Sequence, residues 1–155
     1  MKISVKINGR TEHWDVQPHE ILLDVLRRYG HTDVKRGCDT GNCGACTVLV
    51  DGTARTSCTM FAVQAQGHEI TTIQGLGDAV NPHPLQEAWV EVGAVQCGFC
   101  TPGMILSAKA LLDENPLPAK EEIRDALSGN LCRCTGYVKP VKAVELAARK
   151  IQEGR

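Results

Sequence analysis

Apolar and polar residues alternate at the start of the chain. Ile3, Val5 and Ile7 are separated by single polar residues, and a similar alternation resumes after Asn8-Gly9. A period of two is typical of a strand with one buried face, and Asn-Gly is favoured in two-residue hairpin turns. The first residues therefore predict an antiparallel hairpin.

The rest of the first half mixes helical and extended patterns. Apolar residues recur at helical spacing from Glu20 to Tyr29, and Gly30 follows as a helix end. Further short elements are predicted downstream: strands at 47–50 and 53–57, a short helix at 59–65 and a strand at 68–73. Strands mixed with helices in this order predict an α+β fold.

The pattern changes near residue 80. Four later segments carry apolar residues three and four positions apart, as amphipathic helices do: 84–92, 102–114, 119–128 and 138–152. Residues 74–84, rich in Gly and Pro, predict a linker ahead of them. We therefore expect an α+β domain at residues 1–76 and a bundle of four helices at residues 77–155.

Composition narrows the class of protein. The chain has 155 residues and a formal net charge of −1, which argues against a nucleic-acid binder and against a polybasic membrane contact. No apolar run approaches the ~20 residues of a membrane-spanning helix, and the first residues lack the apolar stretch of a secretory signal. We expect a cytoplasmic protein that binds neither nucleic acid nor membrane.

Eight cysteines fall into two sets of four, and the first set lies in the α+β half. It has the spacing C-x4-C-x2-C, with a fourth cysteine after eleven intervening residues: Cys38, Cys43, Cys46 and Cys58. The first three have the spacing of plant-type [2Fe–2S] ferredoxins, and Gly41 and Gly44 let the loop turn around a cluster. The fourth comes earlier than in the usual ferredoxin. A zinc loop and buried free thiols are the alternatives.

The second set lies in the helical half. It joins Cys-Gly-Phe-Cys to a later Cys-Arg-Cys: Cys97, Cys100, Cys132 and Cys134. The first pair alone is compatible with a redox-active dithiol or with half of a zinc site. Two loops at helix ends can bring all four thiolates together, so the residues indicate a metal site and leave both zinc and an iron–sulfur cluster open. A Rieske site is excluded, because no Cys-x-His pair exists.

Three stretches together resemble a known family. The sequences GCDTGNCGACTV (residues 37–48), QCGFCTPG (residues 96–103) and GNLCRCTGY (residues 129–137) resemble, in this order, the iron–sulfur subunit of the xanthine oxidase family of molybdenum hydroxylases. The likeness covers nearly the whole chain. It implies a β-grasp ferredoxin domain followed by a four-helix bundle, with one [2Fe–2S] cluster in each.

The resemblance also implies partners and further cofactors. A large subunit would hold molybdenum bound to a pterin dinucleotide, a medium subunit would hold FAD, and a dimer of heterotrimers is the assembly expected. By matching position, the second cysteine set would hold the cluster nearer the molybdenum cofactor, and the first set the one nearer FAD. Gln96 would hydrogen-bond the pterin, and Cys134 would lie between cluster and pterin. Taken alone, Gln96 is an ordinary surface-loop amide.

The chain has no catalytic motif of its own. It lacks a dinucleotide fingerprint, a phosphate loop, paired carboxylates and a Ser–His arrangement. We therefore expect the electron-transfer subunit of an oxidoreductase whose substrate, an N-heterocycle or a purine, is converted on another chain. Aldehydes, carbon monoxide and an aromatic acyl-CoA are alternative substrates within the family. A free-standing two-cluster ferredoxin and a zinc-bearing structural module are alternative functions.

Overall fold

The first half of the chain is a small mixed sheet crossed by one helix. A computed structural model describes residues 1–154. The strands are β1 (Lys2–Ile7), β2 (Arg10–Asp15), β3 (Thr47–Val50), β4 (Thr53–Thr56) and β5 (Glu69–Thr71), and helix α1 spans Leu22–Arg28. The sheet order is β2-β1-β5-β3-β4, with β1 and β5 parallel and the other pairs antiparallel. This β-grasp arrangement confirms the predicted α+β class.

The alternating pattern of β1 decides which face of the sheet is buried. Its apolar residues are at most 2% exposed, and they pack with Trp14 and with the buried residues of α1. Asn8 and Gly9 have φ values of 48° and 80°, the left-handed pair that a type I′ hairpin turn requires. The predicted antiparallel hairpin and its Asn8-Gly9 turn are thus confirmed.

Two elements differ from the sequence-based expectation. The helix expected at 59–65 is only a 3₁₀ turn at Ala62–Ala65, and the strand expected at 68–73 ends at Thr71. The Asn8 side chain accepts a hydrogen bond from the Thr72 N–H at 2.9 Å and donates to its Oγ1 at 3.0 Å. Because this turn residue replaces a strand partner, the extended pairing stops and the short helix α2 (Ile73–Leu76) begins.

The second half is the expected four-helix bundle, with bounds within two residues of those predicted. Its helices are α3 (Pro84–Glu91), α4 (Thr101–Glu114), α5 (Lys120–Leu127) and α6 (Val138–Gln152). The buried faces of all four form one apolar core, against which Ile73 and Leu76 also pack. Each helix begins or ends beside a loop, and two of those loops carry the second cysteine set.

The two halves meet where backbone lies directly on backbone. The start of α4 lies against the first cysteine loop so closely that a Cβ atom on Gly103 would be 2.2 Å from the Gly44 carbonyl oxygen. The same oxygen accepts a hydrogen bond from Nδ2 of Asn130 at 3.1 Å, and Asn130 is 3% exposed. The Leu131 N–H donates to the Cys43 carbonyl at 2.9 Å. These contacts fix one cysteine loop against the other.

Replacing Gly103 by alanine tests this contact. Alanine in a helix interior normally stabilises by about 1 kcal/mol relative to glycine. Here the added methyl group overlaps the Gly44 carbonyl, and overpacking costs about 1–3 kcal/mol. We expect Gly103→Ala to lower the thermal unfolding midpoint, measured by circular dichroism on the cluster-loaded chain.

Ser107→Ala is the matched control, because Ser107 lies one turn further along the same helix and is only half-buried. It should leave the midpoint unchanged or raise it slightly. A thermal midpoint that rises equally in both variants would show that the close contact between Gly103 and Gly44 contributes nothing to stability.

Candidate iron–sulfur cluster sites

The first site is built around the β3–β4 hairpin. Cys38 and Cys43 lie in the loop that precedes β3, and Cys46 lies at its end, directly before the strand. The tight Asp51-Gly52 turn brings the chain straight back, so that Cys58 follows β4 beside Cys46. This short return explains why the fourth cysteine comes early in the sequence. The Ser57 hydroxyl donates to the Cys46 carbonyl at 2.8 Å and fixes the pair.

The loop of the first site aims backbone N–H groups at sulfur. The N–H groups of Thr40 and Cys43 each donate to Sγ of Cys38 at 3.4 Å. Gly41 and Gly44 have φ values of 79° and 69°, as the predicted turn around a cluster needs. Space is also limited at Gly37, where a Cβ atom would be 2.6 Å from Sγ of Cys43. The loop is thus shaped around its sulfur atoms.

The second site joins the start of α4 to the turn between α5 and α6. Cys100 is the residue immediately before α4, and Cys97 stands three residues earlier in the chain. Cys132 and Cys134 lie in the turn that ends at Tyr137. The four cysteines line an open depression of about 530 Å³, together with Phe99, Leu131, Arg133 and Tyr137. A helix N-terminus at this position favours negative charge on the sulfur atoms.

Hydrogen bonds shape the second site as they do the first. Thr135 donates to Sγ of Cys132 from its hydroxyl at 3.1 Å and from its N–H at 3.4 Å. The Cys132 N–H donates to the Tyr137 hydroxyl at 2.9 Å. Neither Thr135 nor Tyr137 was singled out for a role from the sequence. The sequence signal that could have identified Thr135 is its hydroxyl group three residues after Cys132, close enough in the chain to donate to the cysteine sulfur.

Each site contains one thiol that ionises readily. Hydrogen bonds from the Thr40 hydroxyl and N–H, and from the Cys43 N–H, lower the pKa of Cys38 to about 6. Burial raises the pKa of Cys132, but the bonds from Thr135 outweigh it and bring the value down to about 7. Burial raises the pKa of Cys58 to about 11 and that of Cys100 to about 12. Since metal ligands must be deprotonated, Cys38 offers a thiolate more readily than Cys58, and Cys132 more readily than Cys100.

The thiols of each site are arranged in pairs, an arrangement that fits a binuclear cluster. Four pairs lie within hydrogen-bonding reach of each other: Cys38 with Cys43, Cys46 with Cys58, Cys97 with Cys134 and Cys100 with Cys132. Zinc needs four ligands around one point, at about 2.3 Å for sulfur. Across residues 1–154, no group of three or more His, Cys, Asp or Glu side chains is placed to hold one metal ion. Two pairs per site fit a [2Fe–2S] cluster, in which four cysteines serve two irons.

Gln96 lies where the two loops of the second site meet. Its Nε2 donates to the Cys134 carbonyl at 3.0 Å, and both residues are exposed. The structure therefore brings together the two residues that the resemblance assigns to the pterin, at the outer edge of the second site.

The two sites are joined by the backbone contact described above. Cys43 of the first site accepts, through its carbonyl, the N–H of Leu131, which precedes Cys132 of the second. A short path of covalent bonds and one hydrogen bond thus links a thiol of one site to a thiol of the other.

Among the described residues, no helix is long and apolar enough to cross a membrane.

Comparison with known proteins places this geometry in a family. A model described as a 2Fe-2S iron-sulfur cluster binding domain matches residues 5–71, and one described as a [2Fe-2S] binding domain matches residues 72–145. The chain is 51% identical to the nicotinate dehydrogenase small FeS subunit of Eubacterium barkeri over 149 residues, which covers 96% of this chain and 95% of that protein. The chain belongs to the iron–sulfur subunits of the molybdenum hydroxylases. Its two [2Fe–2S]-binding domains and its place in an oxidoreductase are thereby confirmed.

Solved structures agree with this assignment. The iron–sulfur subunit resembles a chain of quinoline 2-oxidoreductase from Pseudomonas putida 86 with a TM-score of 0.94 and 43% identity, covering 99% of this chain and 97% of that one. It also resembles aldehyde oxidoreductase from Desulfovibrio gigas with a TM-score of 0.96 and 45% identity. That match covers all of this subunit but 18% of the other chain, so the same unit also occurs within a longer chain.

The pairing of thiols predicts the products of mild oxidation. Sγ of Cys97 and Sγ of Cys134 are 3.6 Å apart, and both residues are exposed. After the clusters are removed with a chelator, a Cys97–Cys134 disulfide should form first, and disulfide mapping by mass spectrometry should detect it.

The cluster-loaded iron–sulfur subunit is the control and should be protected from this oxidation. If the first disulfide were instead Cys97–Cys100, which joins Cys97 to the cysteine nearest to it in sequence, the pairing described here would be wrong.

Proposed function

We propose that this chain carries electrons between the molybdenum cofactor of a large partner subunit and the FAD of a medium one. When bound, each [2Fe–2S] cluster accepts and releases one electron. The observation that supports the proposal most directly is the arrangement of the thiols as two sites of two pairs each, joined by one backbone hydrogen bond. The family to which the chain belongs adds the electron source and acceptor.

The chain's own residues hold and tune the clusters in this proposal. The cysteines of the first set bind one cluster, and those of the second set bind the other. Thr40 and Thr135 donate hydrogen bonds to the ligating sulfurs, which stabilises their negative charge. The stacked contact at Gly44 and Gly103 keeps the two sites at a fixed separation.

The exposure of the cysteines supports the proposed order of the two clusters. In the proposed order, the second site faces the molybdenum subunit, where Gln96 and Cys134 contact the pterin. Cys97 and Cys134 are exposed, whereas Cys46 and Cys58 of the first site are buried. Three large side chains beside the second site are also exposed: Phe99 by 46%, Leu131 by 56% and Tyr137 by 40%. Exposed apolar residues around an open redox site support the binding of a protein partner there. Such a partner would bury these side chains and exclude water from the site.

The proposal includes the wider organisation of the complex. Residues 1–76 form the ferredoxin-like domain and residues 77–155 the helical one, with α2 contacting the helical core; Arg155 lies outside the described residues. The assembly is a dimer of heterotrimers in the cytoplasm, where eight cysteines remain reduced and available to iron.

An N-heterocycle is the proposed substrate of the complete enzyme. The relatives named for nicotinate and quinoline share 51% and 43% of aligned residues with this chain and match it nearly end to end. The relative named for aldehydes shares 45% and carries the unit within a longer chain. A separate iron–sulfur subunit also occurs in the aldehyde oxidoreductase of Escherichia coli, at 43% identity. The higher identity to the nicotinate subunit therefore favours the heterocycle, and an aldehyde is the second candidate.

Single substitutions test the assignment of ligands. The purified chain should contain two irons and two sulfides per cluster, and its reduced form should give two distinguishable EPR signals. Cys58→Ser should remove one cluster and Cys132→Ser the other, because each deletes one ligand of one site. Iron and sulfide analysis with EPR measures both.

Each variant is the control for the other. Loss of the same EPR signal in both variants, or zinc in place of iron in the wild type, would contradict the assignment of the ligands.

Co-purification and a substrate panel test the function itself. A tagged chain expressed with its neighbouring genes should bring down two larger chains, molybdenum and FAD in equal amounts. The complex should oxidise nicotinate, quinoline or a purine faster than an aromatic aldehyde, in an assay with an artificial electron acceptor.

A chain that purifies alone with both clusters intact would instead identify a shuttle ferredoxin. A complex active on aldehydes alone would keep the electron-transfer role and reject the heterocycle.

A further inference from the structure

A groove between α5 and α6 is lined by cations and apolar side chains. It measures about 520 Å³ and continues from the second cysteine site, since Tyr137 lines both. Leu127 and Val141 form its buried floor, while Val138 is 61% exposed at its mouth. The polar rim contains Lys120, Arg124 and Lys142.

The cationic and the anionic side chains of α5 lie on different faces of the helix. Lys120, Arg124 and Leu127 recur at helical spacing and line the groove. The three carboxylates of the same helix, on Glu121, Glu122 and Asp125, do not line it. Every charged residue that lines the groove is therefore a cation, although the chain as a whole carries a net charge of −1.

The cations of the rim are largely unneutralised. Arg124 pairs with Glu121 at 3.0 Å on an exposed surface, where an ion pair contributes little. Within residues 1–154, neither Lys120 nor Lys142 forms an ion pair. A positive rim around an apolar floor is complementary to an acidic segment that carries an apolar side chain.

We propose that this groove binds an acidic segment of the large, molybdenum-binding partner, with one of its apolar side chains on Leu127 and Val141 and its carboxylates beside Lys120 and Lys142. The inference rests on the proposed function, because that function supplies the partner. Continuity with the exposed apolar rim of the second site selects the large subunit over the medium one. The contact holds the second site against its electron donor.

Charge reversal in the groove tests the proposal. Binding of the cluster-loaded chain to the large subunit that co-purifies with it can be measured by biolayer interferometry over a range of salt concentrations. Lys120→Glu combined with Lys142→Glu should weaken binding by about tenfold or more, since like charges then face each other. The wild-type affinity should fall with added salt more steeply than that of the variant.

Lys139→Glu is the matched control. Lys139 lies on α6 next to the groove but does not line it, and its ammonium is directed toward Gly93. This variant should bind like the wild type. Iron content and thermal midpoint must match in all three proteins, and the single change Lys142→Glu serves if the double variant does not fold.

A photo-crosslinker at Val138 identifies the occupant. A benzophenone amino acid there should crosslink to the large subunit, at a peptide rich in Asp and Glu. A crosslink to the medium subunit or to a second copy of this chain would overturn the proposal, as would equal losses in the groove and control variants. A wild-type chain that binds no larger subunit at all would reject the proposed function, whereas unchanged binding of the groove variant rejects the groove alone.

Discussion

One carbonyl group of the first cysteine loop, that of Cys43, depends on a donor from the second loop, whereas the Gly44 carbonyl also accepts hydrogen bonds from Thr47. The carbonyl oxygens of Cys43 and Gly44 accept hydrogen bonds from the Leu131 N–H and the Asn130 side chain. Buried carbonyl groups without donors cost free energy, so the loops are stable together in this geometry. The position of each cluster site is therefore set partly by the other half of the chain.

This constraint explains the small residues at the junction. With any side chain at Gly103, α4 could not approach the Gly44 carbonyl, and the loop containing Asn130 would lose its partner. Electron transfer between two carriers depends steeply on their separation. A contact of backbone on backbone fixes that separation better than long side chains can, because it has few rotatable bonds.

The two sites use the same chemistry in different surroundings. In each, four thiols form two pairs, and a threonine donates to one of the sulfurs. They differ in exposure, because the β3–β4 hairpin encloses Cys46 and Cys58 whereas the helix ends leave Cys97 and Cys134 open. The open site is next to the cationic groove, so the helical half presents both a redox site and a docking surface.

The sequence by itself determined the elements and the ligand types. Period-two alternation with Asn8-Gly9 predicted the hairpin, because both the buried face and the turn geometry are local properties. The cysteine spacings and three motifs likewise indicated two clusters. One boundary was wrong where a distant partner decided: the Asn8 side chain ends β5 at Thr71, although Asn8 and Thr72 are 64 positions apart. Only the tertiary structure decided which thiols pair across the second site, the Leu131–Cys43 bridge and the meeting of α5 with α6 at the groove. Each of these joins residues far apart in sequence, and no local pattern encodes which distant backbone group meets which.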